Sequence, residues 1–389
     1  MTNVLVVHNA YQQRGGEDAV VDAEIELLRS RGHAVAEYRR SNDDLNGMGR
    51  AQAALQTFWS TTTEREVGAL ITAKRIDVLH VHNTFPLISP SVYWAAAKAR
   101  VPVVQTLHNF RLVCPQALML RNDVPCEDCV GHVPWRGVVH GCYRSSKAQT
   151  GVLAAMVTMH RGLGTWRDKV TRYIALNEFC RQKFIEGGLP AERIVVKPNF
   201  VDAGPAPAEV ARQGVLYVGR LSQEKGIGVL AEAMRRLGAS LPLAVVGTGP
   251  QADLLAGLPG VTMHGALAGE QVMALMRRAQ LLVMPSIWYE NFPRTLVEAF
   301  GCGLPVVASR LGAMAHLVKD GHDGVLFEAG SGEALAAALA SLAAEPQRCA
   351  AMSRAARQTY EESLTPDTNY TQLMRIYMEA IADARSLSA

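Results

Sequence analysis

Glu290-Asn291-Phe292-Pro293-Arg294-Thr295-Leu296-Val297-Glu298 runs on through Ala299-Phe300-Gly301-Cys302-Gly303-Leu304-Pro305 into Val306-Val307-Ala308. An apolar run, residues 281–284, precedes it and is closed by Pro285. The succession reads as strand, loop, short helix, Gly-Pro break and next strand, a building block of parallel α/β sheets. Glu290 and Glu298 bracket the start of the helix. Backbone N–H groups over 292–296 have no intrahelical partner there, which makes the helix start a ready anion site.

The same alternation extends in both directions and occurs twice. In the first half, strands are expected near 4–8, 34–38, 78–82, 103–107, 173–176 and 194–197. Helices are expected over 17–31, 51–73, 91–99, 149–163 and 178–186. Residues 198–214 hold Pro198, Gly204, Pro205, Pro207 and Gly214, a linker composition. The pattern then restarts, with strands at 215–218, 243–246, 261–264, 281–284, 306–308 and 325–327 and helices at 332–344, 346–362 and 366–386. The expected fold class is α/β, with domains at 1–200 and 201–365 and a tail helix at 366–389 that crosses back to the first domain. Two doubly wound domains bind ligands at the carboxyl ends of their strands, which predicts a cleft where the domains face each other. Residues 108–146 form a long irregular insertion rich in Cys, His, Pro and Gly, and loops of that length are usually functional or metal-clipped.

Composition fits this picture. With 389 residues, 49% hydrophobic and 19% charged, the chain is long enough for two cores and is not of disordered type. No apolar run approaches the ~20 residues of a spanning helix. Met1-Thr2-Asn3-Val4-Leu5-Val6-Val7-His8 reads as a first strand, not a leader, so the expected location is the cytosol. Net charge is only +3. Between His132 and Arg172, however, stand Arg136, Arg144, Lys147, Arg161, Arg167, Lys169 and Arg172 against the single acid Asp168. Such a local excess suits an anionic partner.

Three motifs in phase narrow the function. Gly219-Arg220-Leu221-Ser222-Gln223-Glu224-Lys225-Gly226 follows a strand and opens a helix. Glu290 and Glu298 follow, and then Gly301-Cys302-Gly303-Leu304-Pro305-Val306-Val307-Ala308-Ser309. Together they resemble the retaining glycosyltransferases of family 4, and the resemblance covers nearly the whole chain. It implies a GT-B fold, two Rossmann-like domains facing across a cleft. It also implies transfer of a hexose-type sugar from a nucleoside diphosphate to an acceptor hydroxyl, in cell-surface polysaccharide or glycolipid assembly.

The resemblance assigns Arg220 and Lys225 to the donor diphosphate, where fixed cations neutralise the leaving group. It assigns Glu290 to the donor sugar's hydroxyls and Glu298 to the nucleotide ribose. Asn291 stands where Gly is usual, and Asn tolerates left-handed backbone. Pro293 has no N–H, so phosphate contacts fall to Arg294, Thr295 or Leu296, beside Phe292. Gly16, in the Gly15-Gly16 turn after the first strand, lets backbone approach a phosphate or acceptor. Gly247 and His264, after two further strands of the second half, belong near the nucleotide. His108, ending the strand at 103–107, lies in the family beside donor sugar and acceptor and is read as positioning and polarising, not as a general base. Where the family often has Pro-Glu near Gly312, this chain has Ala315-His316.

Each piece has a plainer reading: a solvated helix start for Arg220 and Lys225, an ordinary helix acid for Glu298, a simple turn for Gly15-Gly16, a strand-end His for His108. Cys114, Cys126, Cys129 and Cys142 fall within one short stretch. Four thiolates suit structural zinc, but only one Cys-x-x-Cys is present. Reduced cysteines and disulfides stay open, as do His132 and His140 as substitute ligands. No Asp-x-Asp points to a catalytic metal. The region 132–172 is either a docking surface for anionic membrane, suited to a lipid-linked acceptor, or an ordinary helix with a solvated basic flank. Rival functions are a sugar-nucleotide epimerase or glycosyl phosphorylase on the same architecture, and a non-catalytic nucleotide-sugar-binding protein. A nucleic-acid binder is a third rival, but the basic patch has little aromatic interleaving (Trp135, Tyr143, Trp166) and no known module.

Overall fold

The computed structural model describes residues 1–206 and 211–386. Pro207, counted in the linker, and the last three residues of the tail lie outside these. The chain divides into two units. Residues Met1–Leu118, Glu127–Pro198 and those from Asn369 onward form the first; Met119–Cys126 and Asn199–Thr368 form the second.

The first unit is built on strands β1 (Asn3–Ala10), β2 (Ala34–Ser41), β3 (Val78–Asn83) and β4 (Val103–Thr106). A two-stranded antiparallel hairpin, β5 (Leu120–Arg121) and β6 (Val124–Pro125), follows and groups with the second unit. Strands β7 (Arg172–Ala175) and β8 (Ile194–Val196) complete the first sheet, whose order is β2-β1-β3-β4-β7-β8, all parallel. Val4, Leu5, Val6 and Val7 are all buried, as expected of a strand covered on both faces. One face packs Val4, Val6, Val78, Val104 and Ile174 against Val21, Ile25 and Leu28 of the helix Gly16–Ser30 and against Leu373, Ile376, Tyr377 and Ala380 of the final helix.

The second unit carries β9 (Val215–Val218), β10 (Leu243–Val246), β11 (Val261–Gly265), β12 (Leu281–Met284), β13 (Val306–Ser309) and β14 (Gly324–Phe327) in the order β11-β10-β9-β12-β13-β14. Its first strand, β9, lies between β10 and β12, so the chain reverses direction across the sheet there. In such sheets this switch point, at the carboxyl ends of the strands, is where ligands bind. The helix Ile227–Leu237 covers the sheet with Ile227, Leu230, Ala231 and Met234, spaced so that they share one face.

Two expectations need correction. The helix expected at 51–73 is two helices, Arg50–Phe58 and Thr61–Lys74. Between them Trp59 is extended, and Ser60 Oγ accepts from Thr63 N–H at 3.2 Å. A Ser that caps so well starts a new helix rather than continuing an old one. The insertion at 108–146 is not wholly irregular: besides β5 and β6 it holds a short helix, Trp135–His140, ended by Gly141 at φ +61.

Candidate active site

In the second unit, three loops leave the carboxyl ends of β9, β10 and β12. The loop after β9 carries Arg220, exposed, and Lys225, half-buried. It turns into the next helix at Gly226, where φ is +73 and a Cβ would stand 1.8 Å from the Pro285 carbonyl oxygen. No other residue fits, and this approach lays the β9 loop against the β12 loop. Ile287 N–H donates to the Glu224 carbonyl at 3.0 Å and fixes the two together.

Across this junction Lys225 Nζ donates to Glu290 Oε1 at 2.6 Å. Ser286 Oγ donates to the same oxygen at 2.8 Å. Glu290 is 4% exposed. A carboxylate so nearly buried is stable only when paired, and here the partners leave Oε2 for a ligand. Lys225 also lies 5.5 Å over the Trp288 ring. The predicted pair Lys225 and Glu290, distant in sequence, thus forms one constellation at the switch point. Ser286 and Trp288 were missed, because a Ser and a Trp in a loop carry no spacing signal.

The helix after β12 is Arg294–Gly301, with Pro293 as its N-cap and no side-chain cap. Leu296 N–H turns back to the Pro293 carbonyl at 3.1 Å, so only the Arg294 and Thr295 N–H groups remain to hold an anion. Phe292 and Leu296 are buried and can offer only backbone. Asn291 is also buried and has no positive φ, so the left-handed geometry allowed for it is not used. Arg294 Nε donates to Glu298 Oε1 at 2.9 Å. Burial pushes the Glu298 carboxyl above its ordinary value, and Arg294 opposes that rise. Gly247 answers an internal demand, since a Cβ there would meet the Gly219 carbonyl oxygen at 1.8 Å. His264 is exposed on the edge strand, at the bulge where Val246 pairs with Gly265. His316 sits exposed on the four-residue helix Met314–Leu317.

The first unit gathers a second set of polar groups at the ends of β1, β3 and β4. Gly16 opens the first helix, and a Cβ on it would meet nothing within 4 Å. The turn before it is held by Asp18, whose carboxylate accepts from Gly15 N–H at 2.8 Å and Tyr11 N–H at 3.3 Å and contacts His8 Nε2 at 2.9 Å. Next to it, Glu17 Oε2 accepts from Tyr11 Oη at 3.0 Å and Asn109 Nδ2 at 3.5 Å, while Oε1 is buried without a partner. Burial raises the Glu17 carboxyl to about 7.

His108 is half-buried, and its Nε2 lies 2.9 Å from His82 Nδ1. Burial lowers its pKa to about 3, so His108 is neutral at physiological pH. Behind it, Glu24, His80 and His82 place ligand atoms within 4.8 Å of one another, which among the described residues is the sole group of three or more His, Cys, Asp or Glu so placed. The Lys197 ammonium already lies 3.1 Å from Glu24 and supplies the positive charge a metal would bring. Cys114, Cys126, Cys129 and Cys142, expected as a zinc set, do not form such a group. Cys129 is buried and the other three half-buried. His80 and His82 were missed by sequence reasoning, although two histidines spaced two apart on a buried strand share one face of the sheet.

Comparison with known proteins agrees with this geometry. The model for glycosyl transferases group 1 matches residues 208–359, and that for a glycosyl transferase 4-like domain matches residues 4–199. A phosphatidyl-myo-inositol mannosyltransferase of Mycobacterium leprae (strain TN) is 27% identical, over 96% of this chain and 95% of its own. A D-inositol 3-phosphate glycosyltransferase of Segniliparus rotundus is 30% identical, over 64% of this chain and 70% of its own. Among solved structures, HepE of Anabaena in complex with UDP-glucose superposes with a TM-score of 0.69 at 18% identity, covering 99% of this chain and 100% of that one. The chain belongs to the glycosyl transferases group 1 family, with the GT-B fold of two parallel, Rossmann-like sheets. Its activity is glycosyl transfer.

Proposed function

We propose that the protein is a retaining hexosyltransferase that uses a nucleoside-diphosphate sugar and acts in cell-surface glycolipid or polysaccharide assembly. The observation that carries this reading is the Lys225–Glu290 pair at the switch point of the second sheet, with Ser286 holding the same carboxylate oxygen. In this reading the second unit binds the donor. Lys225 and Arg220 neutralise charge on the departing diphosphate, and the Arg294 and Thr295 N–H groups add the helix-start contribution. Glu290 accepts hydrogen bonds from the donor sugar, and Glu298 accepts from the ribose. The bond from sugar C1 to phosphate oxygen breaks, that to the acceptor oxygen forms on the same face, and the leaving phosphate takes the acceptor proton. No side chain need act as base, which suits a His108 kept neutral by burial.

The first unit is assigned the acceptor. Its basic stretch 132–172 is assigned to an anionic membrane surface, where a lipid-linked acceptor resides. Val133, Trp135 and Val139 are 56%, 57% and 53% exposed, and Arg136, Arg144 and Lys147 are exposed beside them in the chain. Exposed apolar side chains among cations are what an interfacial segment needs. No described helix is long and apolar enough to cross a membrane. Relatives named as mannosyltransferases of inositol lipids support a lipid-borne acceptor.

The test is incubation of the pure protein with GDP-mannose or UDP-glucose in three arms: donor alone, donor with inorganic phosphate, and donor with a lipid extract. Transfer requires the extract, and the new linkage keeps the donor's anomeric configuration by NMR. Turnover of donor alone to an epimer, or a sugar phosphate formed only with phosphate, would replace this reading with one of its rivals.

A further inference from the structure

His108 stands at the outer end of a file of buried groups that sugar transfer, as described above, leaves without a task. Glu24 comes from the first helix, His82 from β3 and Lys197 from just beyond β8. Glu24 and His82 are buried, as is Lys197 at 1% exposure. Lys197 Nζ donates to Glu24 Oε2 at 3.1 Å, and His80 Nδ1 lies 3.0 Å from Glu24 Oε1. His82 Nε2 faces the same Oε1 at 3.7 Å and is buried without a hydrogen-bond partner. On its other side, His82 Nδ1 meets His108 Nε2 at 2.9 Å.

We infer that Glu24 and His82 are positioning residues that hold His108 in the tautomer protonated on Nε2, so that Nδ1 presents a lone pair to a sugar hydroxyl. The role of the hydroxyl rests on the sugar-transfer reading; the tautomer does not. Glu24 is an anion: Lys197 and the nearby histidines hold its carboxyl well below the usual range despite burial. A bare Nε2 on His82 would point its lone pair at that carboxylate in a dry interior, where repulsion is little screened. The proton of His82 therefore sits on Nε2. A neutral imidazole has one N–H and one acceptor nitrogen, which leaves His82 Nδ1 to accept, so His108 Nε2 must donate. His108 is neutral as well, and its remaining nitrogen is bare. His80 does not compete for His82: its nitrogens contact Thr106 Oγ1 at 2.9 Å and Tyr377 Oη at 2.7 Å. His8, whose ring lies 6.4 Å from that of His82, is engaged by Asp18.

This arrangement gives the strand end an acceptor that carries no negative charge. It also means that His108 Nδ1 accepts a hydrogen bond and cannot donate one.

The test is two-bond 1H–15N correlation NMR of the full protein labelled with 15N-histidine, at neutral pH and without any donor. The His108 signals are those lost in His108→Gln. The expected pattern is a protonated Nε2 and a bare Nδ1; a proton on Nδ1 overturns the inference. His82→Phe and Glu24→Gln should each convert the single His108 tautomer into a mixture. A merely structural role would lower stability and leave the tautomer unchanged, which would remove these residues from the assignment. Should neither variant fold, the wild-type spectrum still decides. If His108→Gln retains full transfer while the wild-type tautomer is as expected, the sugar-contact reading fails and the relay stands.

Discussion

At the scale of single residues, Glu290 carries the proposed chemistry. Its Oε1 is committed to Lys225 and Ser286, and its loss leaves Lys225 without its carboxylate and, in the proposed reaction, removes a contact to the donor sugar. Glu290→Ala should lower transfer by at least ~10²-fold while circular dichroism and the urea midpoint stay near wild type; near-normal turnover would remove Glu290 from the site. Glu17 makes a different prediction. Its folded pKa of about 7 lies above the ordinary 4.5. Below 4.5 the acid is protonated folded or unfolded, and it has no effect on stability. As pH rises from about 4.5 to 7, the unfolded chain sheds the proton first, so stability falls, by up to about 3 kcal/mol. Glu17→Gln should therefore flatten the decline in melting temperature between pH 5 and 8. Parallel wild-type and variant curves would show that the carboxyl is not held protonated.

At the scale of elements, what the sequence made legible was what repeats. Apolar runs bounded by Gly and Pro fixed β9 and β12 to the residue, and the helix Glu178–Glu186 falls where expected, with the Asn177 side chain accepting from Cys180 N–H at its start. Arg220, Lys225, Glu290 and Glu298 were singled out because a family pattern holds them in phase; Ser286 and Trp288 touch Glu290 and Lys225 without any such spacing. The break at Ser60 was hidden because apolar periodicity continues across it while a single hydroxyl decides the geometry. The file from Glu24 to His108 was hidden for another reason: it joins the first helix, β3 and the end of β4, and only pairing in the sheet brings them together. Gly226 sets how closely the β9 and β12 loops approach each other. Gly226→Ala adds a Cβ at a left-handed φ of +73, facing backbone 1.8 Å away. It should cost at least ~2 kcal/mol in urea denaturation and weaken nucleotide binding as the β9 and β12 loops part. Unchanged stability would mean that the close approach is not maintained in solution.

At the scale of the whole molecule, basic charge gathers in one part of the chain. The basic stretch 132–172 with its exposed Val133, Trp135 and Val139 predicts sedimentation with vesicles containing anionic phospholipid and not with neutral ones. Binding should fall steeply as salt is raised and fall further in Trp135→Ser. Equal binding to both vesicle types would assign the stretch to ordinary surface. The proposed donor site predicts something more central: a nucleoside diphosphate should bind the second unit through Lys225 and Arg220. The direct measurement is isothermal titration calorimetry of UDP, GDP, UDP-glucose and GDP-mannose with wild type and with Arg220→Ala and Lys225→Ala. One nucleotide should bind the wild type, and each substitution should weaken it by at least ~10-fold, since a hydrogen bond to a charged group is worth about 1.5–3 kcal/mol. Tight binding that neither substitution alters would contradict the account.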